Sequence, residues 1–397
     1  MENLAIFGGE PVREKPISYG RQYIDDEDIA AVTRVLKGDY LTGGPDITAL
    51  EEKLCEVTGA KYAVAVANGT AALHLAALAA DFREGDEVIV SSITFAASSN
   101  CILYCGAKPV FADIKPDTYN IDPASVRKLI TPKTKGIVAV DFTGQAVEHD
   151  EIRDICRENN LIFIEDAAHA IGTKYKGQPI GSIADMTCFS FHPVKTVTGG
   201  EGGAVTTNDE RLYRILLRKR AHGITRNREE MVHPTDAGWY NEQVELGYNY
   251  RMTDFQAALL SSQLNKLTRF SSRRKEIVAK YNEAFADMPE IFLQTEIPES
   301  DTTRHLYILR LNLNKLTCDR RQFFDALCAE NIHSQVHYLP VYWHSYYEKL
   351  GYKKGLCPNA EAYYNEVMSL PLYYSLTDED VDDVISAVRK IVDHYRR

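Results

Sequence analysis

Several groups that could act together on one cofactor follow short apolar runs in the first half of the chain. They are an amine, a carboxylate, a hydroxyl, an aromatic ring and free backbone N–H groups, supplied by Lys195, Asp166, Ser190, Phe95, Gly69 and Thr70. Pyridoxal phosphate needs a lysine for its aldehyde, a carboxylate for its pyridine nitrogen, an anion site for its phosphate and flat surfaces beside its ring. The set therefore predicts a pyridoxal phosphate site.

Each of these residues also has a plainer interpretation. Lys195 alone could be a solvated loop residue, and Asp166 alone could cap the helix after it. Ser190 could be an ordinary strand hydroxyl and Phe95 a core aromatic. The segments EDAAHAIG, SFHPVK and EGGAV occur close together and in this order, and that favours the cofactor site.

The elements that would position these groups alternate between strands and helices from about residue 60 to 210. Seven β-rich runs, namely KYAVAVA, DEVIVSS, KPVFADI, KGIVAVDF, LIFIEDAA, MTCFSFH and GGAVTTN, predict a mostly parallel seven-stranded sheet. The first run leads through Asn68 into the helical segment TAALHLAALAA. Free N–H groups at the start of that helix predict an anion site at Gly69 and Thr70.

The last third of the chain predicts a second, smaller α+β domain. Long helical material from Asp254 to Met288 leads into RHLYILRLN, DRRQFFDALCAEN, HSQVHYLPVY and a terminal helix, which together read as strand, helix, strand and helix. We predict a large domain over residues 1–265 and a small one over 266–397.

Upstream, Thr48 and Glu51 predict a capping box, and Gly59 a helix stop.

Composition excludes several classes of function. The chain has 397 residues, 45% hydrophobic and 25% charged, with a net charge of -11, and we find no basic stripe. This predicts a globular protein that binds neither nucleic acid nor membrane. The start shows no targeting pattern, so we expect a cytoplasmic location. The eight cysteines are scattered without zinc-ligand spacing, so we predict no metal site.

The ordered motifs resemble those of a known enzyme family over nearly the whole chain. FGGEPVR, YLTGGPDITALEEKL, ANGTAALHLAALAA, GDEVIVSSITFAASSN, EDAAHAIG, SFHPVK, GEGGAV, LGYNYRMTDFQAAL and HYLPVY are similar to the DegT/DnrJ/EryC1/StrS sugar aminotransferases. The resemblance implies the aspartate-aminotransferase-like fold type I of pyridoxal phosphate enzymes. Dehydratase relatives carry His in place of the cofactor lysine, whereas this chain carries Lys195, so we expect transamination.

The resemblance also implies roles for individual residues. Lys195 would hold pyridoxal 5'-phosphate as a covalent aldimine and move the proton, while Asp166 would pair with the pyridine nitrogen. The cofactor's remaining contacts would come from Gly69, Thr70, Phe95, Ala168, His169, Ser190 and Asn249. His169 could instead be a packed core histidine, and Asn249 a cap for the helix near Thr253. Because Asn249 would come from a neighbouring subunit, the resemblance implies a homodimer with a shared active site.

Substrates of this family are nucleotide-linked keto-sugars, with L-glutamate as the usual amino donor. The sequences of the segments SFHPVK and QVHYLPVY are similar to those of the family branch that aminates C4 of a UDP-linked 4-keto-6-deoxy-N-acetylhexosamine in pseudaminic acid biosynthesis. In that branch the residues around the sugar nucleotide would be Tyr19, Asp39, Tyr40, Leu41, Thr42, Asn68, Ser190, Asn249, Tyr338, Leu339, Pro340 and Val341. For HYLPVYWHSYY, an aromatic surface is an equal alternative.

Other activities stay open at this stage. The chain could aminate C3 or act as a perosamine-type enzyme on a dTDP- or GDP-linked sugar, and a non-catalytic regulator with the same fold is a remote alternative. Arg226, Arg228 and Arg251 are candidate cations for the pyrophosphate, although Arg226 and Arg228 fit a solvated surface better.

Overall fold

A computed structural model describes residues 3–235 and 237–397 of the chain. Its strands are β1 Tyr62–Val66, β2 Glu87–Ser91, β3 Lys108–Ala112, β4 Thr134–Val140, β5 Ile162–Asp166, β6 Lys174–Tyr175, β7 Gln178–Pro179, β8 Met186–Ser190, β9 Gly203–Thr207, β10 Ile224–Thr225, β11 Glu242–Gln243, β12 Ile291–Phe292, β13 Ser300–Asp301, β14 Tyr307–Leu311 and β15 Val367–Leu370.

The α-helices lie between the strands along the chain and pack around the sheets. They are α1 Asp26–Leu36, α2 Pro45–Thr58, α3 Gly69–Ala79, α4 Ala97–Tyr104, α5 Pro123–Leu129, α6 His149–Asn159, α7 Glu210–Arg220, α8 Asp254–Leu264, α9 Leu267–Phe285, α10 Arg320–Ala329, α11 Ser345–Lys349, α12 Pro358–Glu366 and α13 Asp378–Tyr395. Short 3-10 helices cover Ala5–Phe7, Phe142–Gly144, Arg228–Glu230, Leu313–Lys315 and Val341–Trp343.

The large sheet contains the seven predicted strands in the order β1-β9-β8-β5-β4-β2-β3. All pairs from β8 to β3 are parallel, and β9 runs antiparallel to both β1 and β8. The central strands are buried along nearly their whole length, as expected for strands covered on both faces by helices. The prediction of an α/β fold with a mostly parallel sheet is confirmed. At the carboxyl ends of β5 and β8 stand Asp166 and Ser190.

Helix α3 begins directly after β1, as the sequence predicts. The Asn68 side chain accepts a hydrogen bond from Ala71 N at 2.8 Å and caps the helix. The first N–H groups of α3 therefore point out of the helix at the edge of the sheet where β5 and β8 end. Small alanine side chains let α3 pack closely on the core, and the helix is almost entirely buried.

The capping box predicted at Thr48 is wrong. Helix α2 begins three residues earlier, at Pro45, with Gly44 as its N-cap. Proline at the first helical position has a suitable φ and needs no N–H partner there. Glu51 instead accepts hydrogen bonds from Ala65 N at 2.9 Å and from Arg220 Nη1 at 2.5 Å, and so ties α2 to β1 and α7. The predicted stop at Gly59 is confirmed, with φ at 68°.

A second sheet, β12-β14-β15, forms the centre of the C-terminal part together with α9, α10 and α13. In α13 the apolar residues at helical spacing, including Val381, Val384 and Val388, are fully buried. The strand predicted in HSQVHYLPVY is wrong, because this segment forms one isolated bridge, Gln335 with Ser369, and then a 3-10 helix. The strand that pairs with β14 is β15. The predicted domain boundary lies between α8 and α9 and stays a prediction.

Within the described ranges, we find no helix whose length and hydropathy would let it cross a bilayer.

Candidate active site

A cavity of about 540 Å³ opens at the carboxyl ends of the central strands. Such an edge is where ligands bind in open α/β sheets. The structure brings eleven of the predicted site residues to its wall: Tyr19, Asn68, Gly69, Thr70, Phe95, Asp166, Ala168, His169, Ser190, Lys195 and Tyr338. These positions come from the N-terminal arm, the carboxyl ends of β1, β2, β5 and β8 with the segments that follow them, and the C-terminal part of the chain. The fold therefore gathers most of the predicted set in one place.

The Asp166 carboxylate is buried and held by two donors. Ser98 Oγ lies 2.5 Å from Asp166 Oδ2, and Ala168 N donates to Asp166 Oδ1 at 3.1 Å. Ser98 Oγ is in turn 2.6 Å from Thr94 Oγ1. Burial raises the pKa of Asp166, and the bonds from Ser98 and Ala168 and the charge of Lys195 oppose that rise. The carboxylate is thus fixed in position and ready to receive a positive partner.

Lys195 lies in the loop that joins β8 to β9. The loop begins with a turn in which Lys195 N donates to His192 O at 2.9 Å, and Thr198 Oγ1 closes it by donating to Phe191 O at 3.0 Å. Burial lowers the pKa of Lys195 to about 8, although Asp166 favours the charged amine. With this pKa about one molecule in ten carries the neutral amine at pH 7, far more than for an ordinary lysine, and the neutral form is the nucleophile.

The start of α3 forms a tight backbone cradle against β8. A Cβ added at Gly69 would lie 2.8 Å from Ser190 Cβ, so glycine is required for this approach. The exposed N–H groups of Gly69 and Thr70 and the Ser190 hydroxyl then face the same cavity. Backbone donors at a helix N-terminus, supported by the helix dipole, bind phosphate well.

His169 is buried beside a second histidine, with the two ring centroids 4.4 Å apart for His169 and His305. His169 Nδ1 has no hydrogen-bond partner in the described part of the chain. Burial, with a smaller effect from Lys195, holds the pKa of His169 well below its ordinary value, so the ring is neutral. Because the neutral ring lines the cavity, His169 can form a hydrogen bond with a polar group of a ligand there.

These residues fit pyridoxal phosphate. The Gly69 cradle and Ser190 suit its phosphate, Asp166 its ring nitrogen, the neutral His169 a ring oxygen and Lys195 its aldehyde. Phe95 and Ala168 line the cavity and can flank a flat ring. Phe95 is 61% exposed, so it is not a core aromatic.

Other predicted site residues lie outside the cavity of their own chain. Residues 39–42 are exposed at the start of α2, and Asn249 is exposed in a bridge with Ala221. The N-cap of α8 is Thr253, so Asn249 does not cap that helix. Pro340 and Val341 are buried, with Val341 N bonded to Ser92 O, and Leu339 is half-buried. Their roles in binding stay predictions.

The sequence analysis missed several polar residues that line or support the cavity, among them Thr94, Ser98, Glu201, Gln335 and His337. Ser98 follows Phe95 by three residues in TFAASSN, and this one-turn helical spacing could have placed it near the cofactor. His337 directly precedes Tyr338, which the resemblance did include. Neither residue carries a local signal as strong as that of Lys195.

The charge of the cavity is unusual for a site that must bind anions. Of the described residues that line it, Lys195 is the one lysine or arginine, and the carboxylates of Asp166 and Glu201 line it too. Arg226, Arg228 and Arg251 are all exposed and lie elsewhere on the chain. Within a single chain, the start of α3 is therefore the main anion site beside Lys195.

Comparisons with known proteins agree with this geometry. The model of the DegT/DnrJ/EryC1/StrS aminotransferase family matches residues 22–389. The spore coat polysaccharide biosynthesis protein SpsC of Bacillus subtilis is 42% identical over 95% of this chain and 97% of that protein. The UDP-4-amino-4,6-dideoxy-N-acetyl-beta-L-altrosamine transaminase of Campylobacter jejuni is 38% identical over 96% and 99%, respectively.

A solved structure is similar over the same length. Helicobacter pylori PseC, an aminotransferase involved in the biosynthesis of pseudoaminic acid, superimposes with a TM-score of 0.89 at 32% identity. The match covers 96% of this chain and all of that chain.

Proposed function

Because the chain belongs to the DegT/DnrJ/EryC1/StrS aminotransferase family, and is thus a pyridoxal-phosphate-dependent sugar-nucleotide aminotransferase, we propose a specific reaction for it. It transfers the amino group of L-glutamate to C4 of a UDP-linked 4-keto-6-deoxy-N-acetylhexosamine, a step of pseudaminic acid biosynthesis. The observation that carries the proposal is the single cavity in which Lys195, the Asp166–Ser98 pair and the start of α3 meet.

The bound cofactor supplies an electron-withdrawing ring that stabilises negative charge on the carbon losing a proton. In this proposal Lys195 Nζ holds the cofactor covalently in the resting protein. Lys195 Nζ would also take the proton from the α-carbon of the amino donor, because its lowered pKa increases the fraction of neutral amine. Asp166, held by Ser98, keeps a proton on the ring nitrogen, and the α3 amides with Ser190 bind the phosphate.

Support for the sugar comes from the relatives and from the cavity wall. The Campylobacter relative is named for a UDP-linked 4-amino-4,6-dideoxy sugar, and the Helicobacter structure for pseudoaminic acid biosynthesis. Tyr19 and Tyr338 bring aromatic rings to the wall of the cavity, with the Phe95 and Tyr338 centroids 6.3 Å apart. Pockets for small ligands typically combine such apolar surfaces with a few placed polar groups.

We also propose that the active unit is a homodimer in which each cavity is completed by the other subunit. Among the residues that the structure describes, one chain brings a single lysine or arginine side chain to a site for a phosphate, a pyrophosphate and a dicarboxylate. Asn249 and Arg251 are exposed next to each other, and Tyr40 and Leu41 expose apolar surface. A second copy of the chain could cover that surface and bring these polar groups to the site.

The test is turnover with a panel of sugar nucleotides. Purified protein loaded with pyridoxal phosphate is mixed with L-glutamate and with UDP- or dTDP-linked 4-keto and 3-keto sugars, and 2-oxoglutarate release is measured. We expect release to be fastest with the UDP-linked 4-keto-6-deoxy-N-acetylhexosamine. The Lys195→Ala variant should lose both the visible absorbance of the lysine-bound cofactor and turnover.

Each other result points to a different conclusion. Preference for a 3-keto or a dTDP-linked sugar would replace the proposed substrate while leaving the aminotransferase chemistry in place. Release with every sugar at the same rate would mean that the cavity does not select C4. No release with any sugar would overturn the proposed reaction.

A further inference from the structure

His337 is held rigidly in the wall of the cavity by its contacts with β15. The backbone of Gln335 exchanges two hydrogen bonds with Ser369 of β15, at 2.6 and 3.2 Å. Ser369 Oγ lies 2.7 Å from His337 Nδ1, and Tyr363 Oη donates to the His337 carbonyl at 2.9 Å. Both the backbone and the ring of His337 are therefore fixed. A residue that recognises a ligand must be held in position in this way.

The partners of Ser369 decide which ring nitrogen carries the proton. Ser369 is fully buried, and within residues 3–235 and 237–397 its hydroxyl has one hydrogen-bond partner, His337 Nδ1. If Nδ1 donated the hydrogen bond, the hydroxyl proton would be buried without an acceptor, which is unfavourable. The hydroxyl therefore donates to Nδ1, and the neutral ring carries its proton on Nε2.

The other ring nitrogen of His337, Nε2, is available to a ligand. No hydrogen bond to His337 Nε2 is seen in the described part of the chain, and the residue lines the same cavity as Lys195. Burial and the nearby Lys195 charge lower the pKa of His337 to about 4, so the ring is neutral near pH 7. The ring offers the cavity one N–H donor and no charge.

Aromatic rings lie next to this N–H donor of His337. The Tyr19 and Tyr338 rings lie 5.3 and 4.7 Å from the His337 ring, measured between centroids. A neutral donor between aromatic faces suits a sugar, which has C–H faces and oxygen acceptors. It suits a dicarboxylate less well, because two carboxylates call for several cations, and among the described lining residues Lys195 is the one lysine or arginine.

On the basis of the proposed function, we propose that His337 is a specificity-determining residue that donates a hydrogen bond from Nε2 to a hydroxyl or carbonyl oxygen of the sugar. It contacts the sugar nucleotide and makes no contact with the amino donor. The two halves of the reaction must then depend on His337 differently, because the sugar takes part in only one of them.

The test uses His337→Phe, which keeps an aromatic ring and removes the donor, and His337→Gln, which returns an N–H group at a similar reach. Binding of a UDP-linked 4-amino sugar to cofactor-free protein is measured by calorimetry. The half-reactions with L-glutamate and with the keto-sugar are then followed separately in the loaded protein. The control is His333→Gln, an exposed histidine four residues away on the same segment.

We expect His337→Phe to weaken sugar-nucleotide binding by about 10-fold and to slow the keto-sugar half-reaction by about 10- to 100-fold, the size of one lost hydrogen bond to a ligand. The L-glutamate half-reaction should stay within about twofold of wild type, since its substrate does not touch the ring. His337→Gln should recover part of the loss, and His333→Gln should match wild type.

Several results would overturn the inference. Equal slowing of both half-reactions, or unchanged sugar binding in a folded His337→Phe protein, would reduce His337 to a structural role. If wild type used a keto-sugar and His337→Phe used it equally well, this inference would fail and the proposed function would stand. If wild type accepted no sugar nucleotide, both would fail.

Discussion

At the residue scale, the hydrogen bond between Ser98 and Asp166 is the feature that most sharply separates the site from a generic lysine–carboxylate pair. Ser98 Oγ bonds both Asp166 Oδ2 and Thr94 Oγ1, and all three residues are buried. A short bond to a buried carboxylate stabilises its charged form and fixes its direction. Ser98 is thus a positioning residue for Asp166.

Removing this hydroxyl should weaken the site without unfolding the protein. We expect Ser98→Ala to lower kcat by about 10- to 100-fold, because the lost bond is worth about 1.5 to 3 kcal/mol to a charged acceptor. Loss of the bond also raises the pKa of Asp166, so the acid side of the kcat profile should move to higher pH.

The control for this prediction is Ser98→Thr, which keeps the hydroxyl. It should retain more activity than Ser98→Ala, provided that its added methyl fits. An unchanged pH profile for Ser98→Ala would show that Asp166 does not depend on Ser98.

Lys195 gives a second prediction at this scale. Its pKa is lowered to about 8 by burial, so the fraction of neutral amine in the cofactor-free protein rises as pH passes through that value. The rate of covalent pyridoxal phosphate attachment, followed by absorbance, should rise with pH and level off above about 8. Asp166→Asn should move the midpoint lower, because Asp166 favours the charged amine. A midpoint near the ordinary lysine pKa would contradict this account.

At the scale of elements, the contact between α3 and β8 sets the phosphate cradle. A Cβ at Gly69 would approach Ser190 Cβ to 2.8 Å and force the start of α3 away from the strand. We expect Gly69→Ala to weaken pyridoxal phosphate binding by at least about 10-fold, measured by titration of the cofactor-free protein. Gly238→Ala is the matched control, because its Cβ would meet nothing within 4 Å. Equal affinities in the two variants would argue against the cradle.

Strand β5 carries acidic residues on both of its faces. Side chains alternate along a strand, so Glu165 points away from the side that Asp166 serves. Glu165 Oε1 lies 2.8 Å from His149 Nε2, and the donor atoms of Asp141, His149 and Glu165 lie within 4.8 Å of one another, all fully buried. Thr187 Oγ1 donates to Glu165 Oε2 at 2.7 Å. Burial raises the pKa of Glu165 to about 7.

This raised pKa predicts a pH dependence of stability. The folded protein binds the Glu165 proton more tightly than the unfolded chain, so its contribution favours folding most below pH 4.5 and declines as pH rises to about 7. In Glu165→Gln this pH-dependent loss of stability should be absent. The fall in the free energy of unfolding over this pH range should therefore be smaller than in wild type by up to about 3 kcal/mol. Urea unfolding of both proteins between pH 5 and 8 measures it. Parallel pH curves for wild type and Glu165→Gln would contradict the prediction.

At the scale of the whole molecule, the shared-site dimer can be tested by subunit mixing. Lys195→Ala and Asn249→Ala should each be inactive alone, because every site then lacks one group. If Asn249 serves the other subunit, randomly mixed dimers should recover about a quarter of wild-type activity, since half of the dimers then hold one intact site. The mixture is unfolded and refolded together, and 2-oxoglutarate release is measured. If Asn249 served its own chain, mixing would restore nothing.

Mixing also needs a check that co-refolding itself does not lower activity. Lys195→Ala co-refolded with wild type should give activity in proportion to the wild-type subunits present. Analytical ultracentrifugation should show the dimer in every sample. A monomer with full activity would exclude the shared site.

The sequence by itself determined the features that depend on neighbouring residues. The strands LIFIED and MTCFSF, the helix directly after Asn68 and the stop at Gly59 follow from local apolar runs and backbone preferences, and the structure has all of them. Motif order also identified Lys195 and Asp166 as a pair. The error at Thr48 was local too, because Pro45 competes for the start of the same helix.

Only the tertiary structure decided which distant residues meet. Ser98 and Asp166 are 68 positions apart, and Tyr19 and His337 reach the cavity from opposite ends of the chain. The segment around His337 looked like a strand, but β15 pairs with β14 and leaves it a single bridge. Such contacts depend on how helices and sheets pack around a common core, and that packing cannot be predicted from local periodicity.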